Sequence, residues 1–172
     1  MNLKSFAATV VAFLAAVVLV SGHTAQSITV YDSGDNSELV SSIPVASGAY
    51  QFQTVYSIPL GDLHVGDTLL IQTEMETTND LGYNVMIASY VLLGDSPTAT
   101  KGIEMTERNG YNVSANMHHG TMVKVGSYPV TEDLTNQYAN VVLYAASTRA
   151  TATSTIAVEQ DYGRLIITKI TG

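Results

Sequence analysis

The chain has 172 residues, 46 % of them hydrophobic, no cysteine and a formal net charge of −8. The absence of cysteine excludes disulfides, thiol catalysis, cysteine-ligated zinc and iron–sulfur clusters. The acidic balance argues against binding to nucleic acid or to an anionic membrane surface, because both select for Lys and Arg. Charged residues make up 13 % of the chain, about half of the usual share. A weakly charged polar surface is tolerated by a soluble monomer, and it also suits copies that pack against each other.

The first 22 residues have the pattern of a cleavable signal peptide. Lys4 supplies a positive charge, and an apolar run of fifteen residues extends from Phe6 to Val20. This length is typical of a signal peptide and falls short of the roughly 20 residues that cross a bilayer. Small residues at 21 and 22 predict cleavage before His23, and a cut as late as residue 25 or an uncleaved signal anchor are the alternatives. Each alternative exports the chain, so we expect a secreted or cell-surface protein, with no membrane association after cleavage.

Residues 23–172 have the pattern of a single β-domain. Nearly every apolar stretch alternates with a period of two or is short and β-branched, and turn residues bound it. The stretches that predict strands are Ser27–Tyr31, Tyr50–Ile58, Thr68–Thr77, Tyr83–Leu93, Lys101–Glu107, Tyr111–Val113, Thr121–Val125, Tyr138–Ala146, Ser154–Glu159 and Arg164–Ile170. About nine or ten strands at this spacing predict an all-β fold, an antiparallel β-sandwich of the jelly-roll type.

Four segments carry more specific predictions. In Thr68–Thr77, alternation places apolar residues on one face and mostly polar residues on a wet face. Tyr83–Leu93 is apolar on both faces, which predicts a central, fully covered strand. Asn109-Gly110 predicts a hairpin turn, because both residues accept a positive φ. Thr131–Gln137 is the one segment after the signal peptide that predicts a helical turn, since Thr-Glu-Asp is acceptable at a helix start.

His23 is the most specific candidate for metal chemistry. If cleavage precedes it, its α-amino group and imidazole chelate copper, and a further nitrogen from His64, His118 or His119 completes the site. Exported β-sandwiches that begin with His include copper-dependent polysaccharide monooxygenases and copper carriers. This chain resembles them at His23 and in its fold class alone, and that resemblance implies the only enzymatic activity that we retain. The alternative is that His23 belongs to the segment recognised by the signal peptidase.

Two further groups are metal-binding candidates. His118 and His119 are adjacent, so they share an ion only if they lie in a loop, since neighbouring side chains of a strand point to opposite faces. Asp32, Asp35 and Glu38 offer oxygen ligands to calcium, although their spacing lacks the EF-hand pattern. Ordinary solvated histidines and turn residues are the alternatives to both sites.

The remaining candidates concern glycans. Asn112-Val113-Ser114 is a glycosylation sequon. Stacking of a bound glycan requires exposed aromatic rings, and the chain has ten Tyr and no Trp. The six tyrosines that we consider for this role are Tyr50, Tyr56, Tyr83, Tyr111, Tyr128 and Tyr138. Tyr is also a common strand residue, which is the alternative explanation.

No nucleophile elbow, phosphate loop or zinc-protease motif is present in the sequence. The leading hypothesis is therefore a non-enzymatic extracellular domain that self-associates as a structural or adhesive subunit, a homo-oligomer without a required cofactor. A module that binds an extracellular glycan is the first alternative, and a copper protein built on His23 is the second.

Overall fold

The computed structural model describes residues 27–34, 40–48, 51–159 and 163–172, so the predicted signal peptide and His23 lie outside the described residues. The strands are β1 (Ser27–Asp32), β2 (Ser42–Ala46), β3 (Gln53–Leu63), β4 (Thr68–Asn79), β5 (Val85–Gly94), β6 (Ile103–Glu104), β7 (Asn109–Val113), β8 (Met117–Pro129), β9 (Leu134–Ala146), β10 (Thr155–Val158) and β11 (Arg164–Thr171). Within these ranges, no helix is long and apolar enough to cross a membrane.

The strands form one connected sheet that folds into two layers. Layer A has the order β8–β4–β11–β1, and β10 follows β11 along the same side of β4. Layer B has the order β3–β9–β5, with β6 and β7 one after the other along the far side of β5. β2 joins the layers, because its first residues pair with β10 and its last residues pair in parallel with β9. All other described pairs are antiparallel, and the predicted jelly-roll sandwich is confirmed.

The core lies between the two layers and follows from the alternation of the strands. Leu69, Ile71 and Met75 of β4 point into it, as the sequence predicts. In β5, every residue except Met86 is buried, which confirms the prediction of a central covered strand.

The predicted hairpin turn at Asn109-Gly110 is wrong, because both residues lie inside β7 and pair with β5. β6 and β7 follow the same side of β5 in the same direction, so they are one strand interrupted by a bulge. The bulge arises where the N–H groups of Met105 and Thr106 both donate to the carbonyl of Val91, at 2.8 and 3.3 Å.

The predicted helical turn at Thr131–Gln137 is also wrong, since β9 begins at Leu134. Aspartate side chains from this region and from β3 instead bind the backbone of the turn at Val65 and of Asn136, whose φ is +51°. Asp133 Oδ1 accepts the N–H of Val65 at 3.0 Å, and Asp62 Oδ1 accepts the N–H of Asn136 at 2.9 Å. These contacts replace the hydrogen bonds that a first helical turn requires.

Candidate functional site

Layer A exposes four aliphatic side chains on the side that points away from the core. Ile28 and Val30 belong to β1, and Val123 and Val125 belong to β8 at the opposite edge of the layer. These four residues are between 49 % and 70 % exposed. These two exposed aliphatic pairs on one side of the layer are the candidates for a contact surface.

The strand register places these residues on one side of layer A, with Gln72 between Ile166 and Val125 and Glu74 between Arg164 and Val123. Leu70, Ile166 and Thr168 on this side are at most 8 % exposed, so the exposed aliphatic side chains form two pairs, one at each edge. Val30 pairs with Thr168, which in turn pairs with Leu70, and directly paired side chains share a face. Ile166 and Val125 flank β4 in the next row. We call this surface the outer face of layer A and define it by Ile28, Val30, Leu70, Val123, Val125, Ile166, Thr168 and Ile170.

An ion pair lies at one end of this face, between the last residue of β1 and the first residue of β11. The Arg164 guanidinium donates to both carboxylate oxygens of Asp32, with 2.9 Å from Nε to Oδ1. Asp32 Oδ1 also accepts the Gly34 N–H at 2.9 Å. The hydrogen bond from Arg164 is the main cause that lowers the pKa of Asp32 below its usual value of 3.8. The pair therefore fastens the edge strand to its neighbour.

We expect Asp32→Asn to lower the free energy of unfolding by about 0.5–1 kcal/mol at pH 7, since the pair is partly exposed. The folded-state pKa is depressed, so this stabilisation is complete above pH 4 and is lost as the pH falls through the folded value. Urea denaturation at pH 7 and at pH 2.5 measures it, with Glu132→Gln as the control for loss of one charge. An unchanged difference between wild type and Asp32→Asn at both pH values would contradict the assignment.

β8 differs from β1 in how its free edge is protected. Lys124 points inward and is only 9 % exposed, and its Nζ donates to the Glu107 carbonyl at 3.0 Å. Burial lowers the pKa of the Lys124 ammonium. The bulge also approaches this edge, because a side chain added at Gly126 would meet Thr106 Cγ2 at 3.2 Å. A groove of about 410 Å³ separates the bulge from Val123 and its neighbours.

The described histidines all lie beside carboxylates on the surface. His119 Nδ1 is 3.1 Å from Glu76 Oε2, and His118 Nε2 is 3.7 Å from Asp80 Oδ1. His64 lies 3.5 Å from Asp133. In the part of the chain that the structure describes, no three His, Asp or Glu residues are arranged to hold a metal ion.

Copper binding through His23 stays a prediction that N-terminal sequencing of the exported protein tests. A mature chain that starts after His23 would exclude an N-terminal chelate.

The calcium candidate is only partly covered by the structure. Asp32 makes the contacts with Arg164 and Gly34 described above, whereas Asp35 and Glu38 lie outside the described residues. Asn112 lies on β7 and is exposed, so an oligosaccharide would meet no buried surface there. Calcium binding and glycosylation of Asn112 both stay predictions.

The tyrosines considered for glycan stacking are used largely in packing. Tyr56 is 1 % exposed, and Tyr83, Tyr111 and Tyr128 pack against the core. Tyr138 pairs with Pro59 and Gly94 in layer B, and Tyr50 lies outside the described residues.

An aromatic cluster that sequence reasoning did not identify lies on layer B. There the Arg108 guanidinium lies 4.5 Å from the Tyr90 ring and 5.4 Å from the Phe52 ring. The sequence gives little indication of this cluster. Arg108 lies in the bulge between β6 and β7, where the alternating strand pattern is interrupted.

Comparisons with known proteins show the fold alone. No family model and no curated protein sequence matches the chain. Among solved structures, it is similar to a chain in the structure of infectious bursal disease virus, Gx strain, with a TM-score of 0.58 and 14 % identity over 84 % of this chain. T=1 particles derived from the same virus give a TM-score of 0.57 and 15 % identity over 84 % of this chain. The chain spans about a third of the length of these viral chains, 34 % and 32 % respectively.

Proposed function

We propose that this protein is an exported, non-enzymatic structural subunit that acts by associating with copies of itself. The observation that carries the proposal is the outer face of layer A, where Ile28, Val30, Val123 and Val125 are exposed on one side of a single layer. Exposed aliphatic side chains on a soluble domain are stabilised when a second surface covers them.

The composition supports the same proposal. With 13 % charged residues, the chain has few groups whose desolvation would oppose close contact between copies. Solved structures with the same fold include a subviral particle and T=1 particles of infectious bursal disease virus, in which many copies of one chain assemble. The similarity covers about a third of each viral chain and supports self-association by analogy of fold.

Export is the second part of the proposal. It rests on Lys4, the apolar run from Phe6 to Val20 and the small residues before His23. We expect mass spectrometry of the protein from its host's medium or surface to find a chain that begins at residue 23, or as late as residue 26. Recovery of intact residue 1 from the cytoplasm would contradict export.

A variant of the outer face tests the structural role. We expect the protein with Ile28, Val30, Val123 and Val125 all replaced by Thr to elute as a single chain in size-exclusion chromatography with light scattering. Thr keeps the strand propensity and removes apolar surface. The wild type is expected to elute at a multiple of the chain mass. Replacement by Thr of Val65, which is 64 % exposed and lies between β3 and β4, is the matched control and should leave the wild-type mass unchanged. Identical elution of the quadruple variant and the wild type would exclude this face as the contact surface.

A further inference from the structure

The two edges of layer A are protected very differently against pairing with another strand. β8 carries the inward-pointing Lys124, ends at Pro129 and has a register irregularity opposite Thr77 and Asn79. Inward charges, proline and bulges are the devices with which natural proteins protect a free sheet edge. β8 is therefore built to remain an edge.

β1 has none of these devices. From Ser27 to Tyr31 it contains no charge and no proline, and its pairing with β11 continues without a register shift. Asp32, its one charged residue, stands at the end of the strand and is held by Arg164. No described strand pairs with the other side of β1. An unprotected edge with exposed aliphatic side chains is a template for a further strand.

The backbone of β1 shows which groups face this free edge. The Ser33 N–H donates to the Leu165 carbonyl at 2.9 Å, in continuation of the β1–β11 register. Hydrogen-bonded and non-hydrogen-bonded pairs alternate along an antiparallel ladder. Residues of odd number therefore bond to β11, and the N–H and C=O groups of Ile28 and Val30 point away from it.

We infer that β1 pairs with β1 of a second copy of this chain, antiparallel and around a two-fold axis at Thr29. This inference rests on the proposed self-association and names its interface. In this register, Ile28 of each copy forms a hydrogen-bonded pair with Val30 of the other, which gives about four backbone hydrogen bonds. The layer then continues from β8–β4–β11–β1 of one copy into β1–β11–β4–β8 of the other, and isologous pairing of this kind closes as a dimer.

The side chains select this register over its neighbours. Centred on Thr29, the pairing brings the exposed Ile28 and Val30 of both copies together on the outer face, and it sets Thr29 opposite Thr29. Centred on Val30, the pairing would set Ile28 against the carboxylate of Asp32. Centred on Ile28, it would leave Val30 beyond the start of the other β1.

A single introduced cysteine tests the register directly, because the chain has no cysteine of its own. Thr29 and its symmetry mate form a non-hydrogen-bonded pair with Cα atoms about 4.5 Å apart, which is within disulfide range. For the protein purified in its naturally processed form, we expect Thr29→Cys to oxidise to a covalent dimer at least tenfold faster than Ser127→Cys. Ser127 is the matched control, because it is also exposed in layer A but belongs to the protected edge strand β8 and lies outside the apolar contact surface. Equal rates for the two variants would overturn the inference.

Two single proline variants, one on each edge strand, distinguish the β1 interface from self-association through another surface. The Val30 N–H makes no hydrogen bond to β11 and would bond to the second copy. Val30→Pro removes this donor and should raise the concentration for half-association at least tenfold. Ser127 of β8 also directs its N–H away from the β4 ladder, because the Val130 N–H bonds to Asp67 in the same register. Ser127 is not part of the apolar contact surface, so Ser127→Pro should leave association unchanged.

If the wild type and Val30→Pro associate equally well, the β1 interface is overturned and the proposed function still stands. A monomeric wild type would overturn both. If circular dichroism shows that Val30→Pro is unfolded, the cysteine rates decide.

Discussion

Gly163→Ala is expected to lower the free energy of unfolding by roughly 2–4 kcal/mol, a large effect for one methyl group. A Cβ built on Gly163 would lie 1.5 Å from the Tyr56 hydroxyl oxygen and 2.2 Å from Cζ of the same ring. Tyr56 is 1 % exposed and belongs to the core, so its ring has no free space into which to turn. Either the ring leaves its place or the chain entering β11 moves.

Urea denaturation of wild type and variant measures this loss. Gly82→Ala is the matched control, because nothing lies within 4 Å of its added Cβ, and its expected effect is within about 0.5 kcal/mol. Tyr56→Phe combined with Gly163→Ala should recover part of the loss, since it removes the nearest atom of the clash. A Gly163→Ala protein as stable as Gly82→Ala would show that Tyr56 does not occupy this position.

Asn79→Asp is expected to lower the free energy of unfolding by about 3–5 kcal/mol at pH 7. The Asn79 side chain is fully buried at the end of β4, and its amide nitrogen donates to the carbonyls of Tyr83 and Ser114, both at 2.9 Å, and of Val113 at 3.3 Å. Its Oδ1 accepts the Leu81 N–H at 3.1 Å. Asp has the same shape, but its carboxylate would bring a buried charge against three carbonyl oxygens.

The pH dependence of Asn79→Asp separates charge from shape. A protonated carboxyl group donates one hydrogen bond again, so the loss of stability should shrink as the pH falls toward 3. Asn84→Asp is the matched control. Asn84 is exposed, and its Oδ1 accepts the Ala115 N–H at 3.0 Å, a role that a carboxylate retains. Equal stabilities of the two variants at pH 7 would contradict the network around Asn79.

Local sequence patterns predicted the parts of the fold that depend on burial. The alternation of Leu69, Ile71 and Met75 identified the inner face of β4, and the continuous apolar run of β5 identified a strand covered on both faces. Both patterns follow from side-chain direction in a strand, which requires no knowledge of the partner strand.

Patterns whose meaning depends on pairing misled the prediction. Asn109-Gly110 has the chemistry of a tight turn, yet its backbone pairs with β5, because the bulge before it supplies the extra residues. The short β2 was not predicted at all, since it is divided between the two layers. In β8, the charged Lys124 points inward while the apolar Val123 and Val125 point outward, which is the opposite of the usual placement.

The candidate site was predictable only in general terms. Ser27–Tyr31 was recognisable as a strand, and its low charge indicated a surface suited to association. Its position at an edge, opposite the protected β8, follows from the order β8–β4–β11–β1. That order is fixed by contacts between residues far apart in the chain, such as Ser27 with Thr171, which local patterns do not contain.

Sedimentation velocity of the naturally processed wild-type protein tests the central claim most directly. Over a hundredfold range of concentration at physiological salt, where charge repulsion is screened beyond about 8 Å, we expect species of at least twice the chain mass that increase with concentration. A single sedimenting species with the mass of one chain at every concentration would contradict self-association.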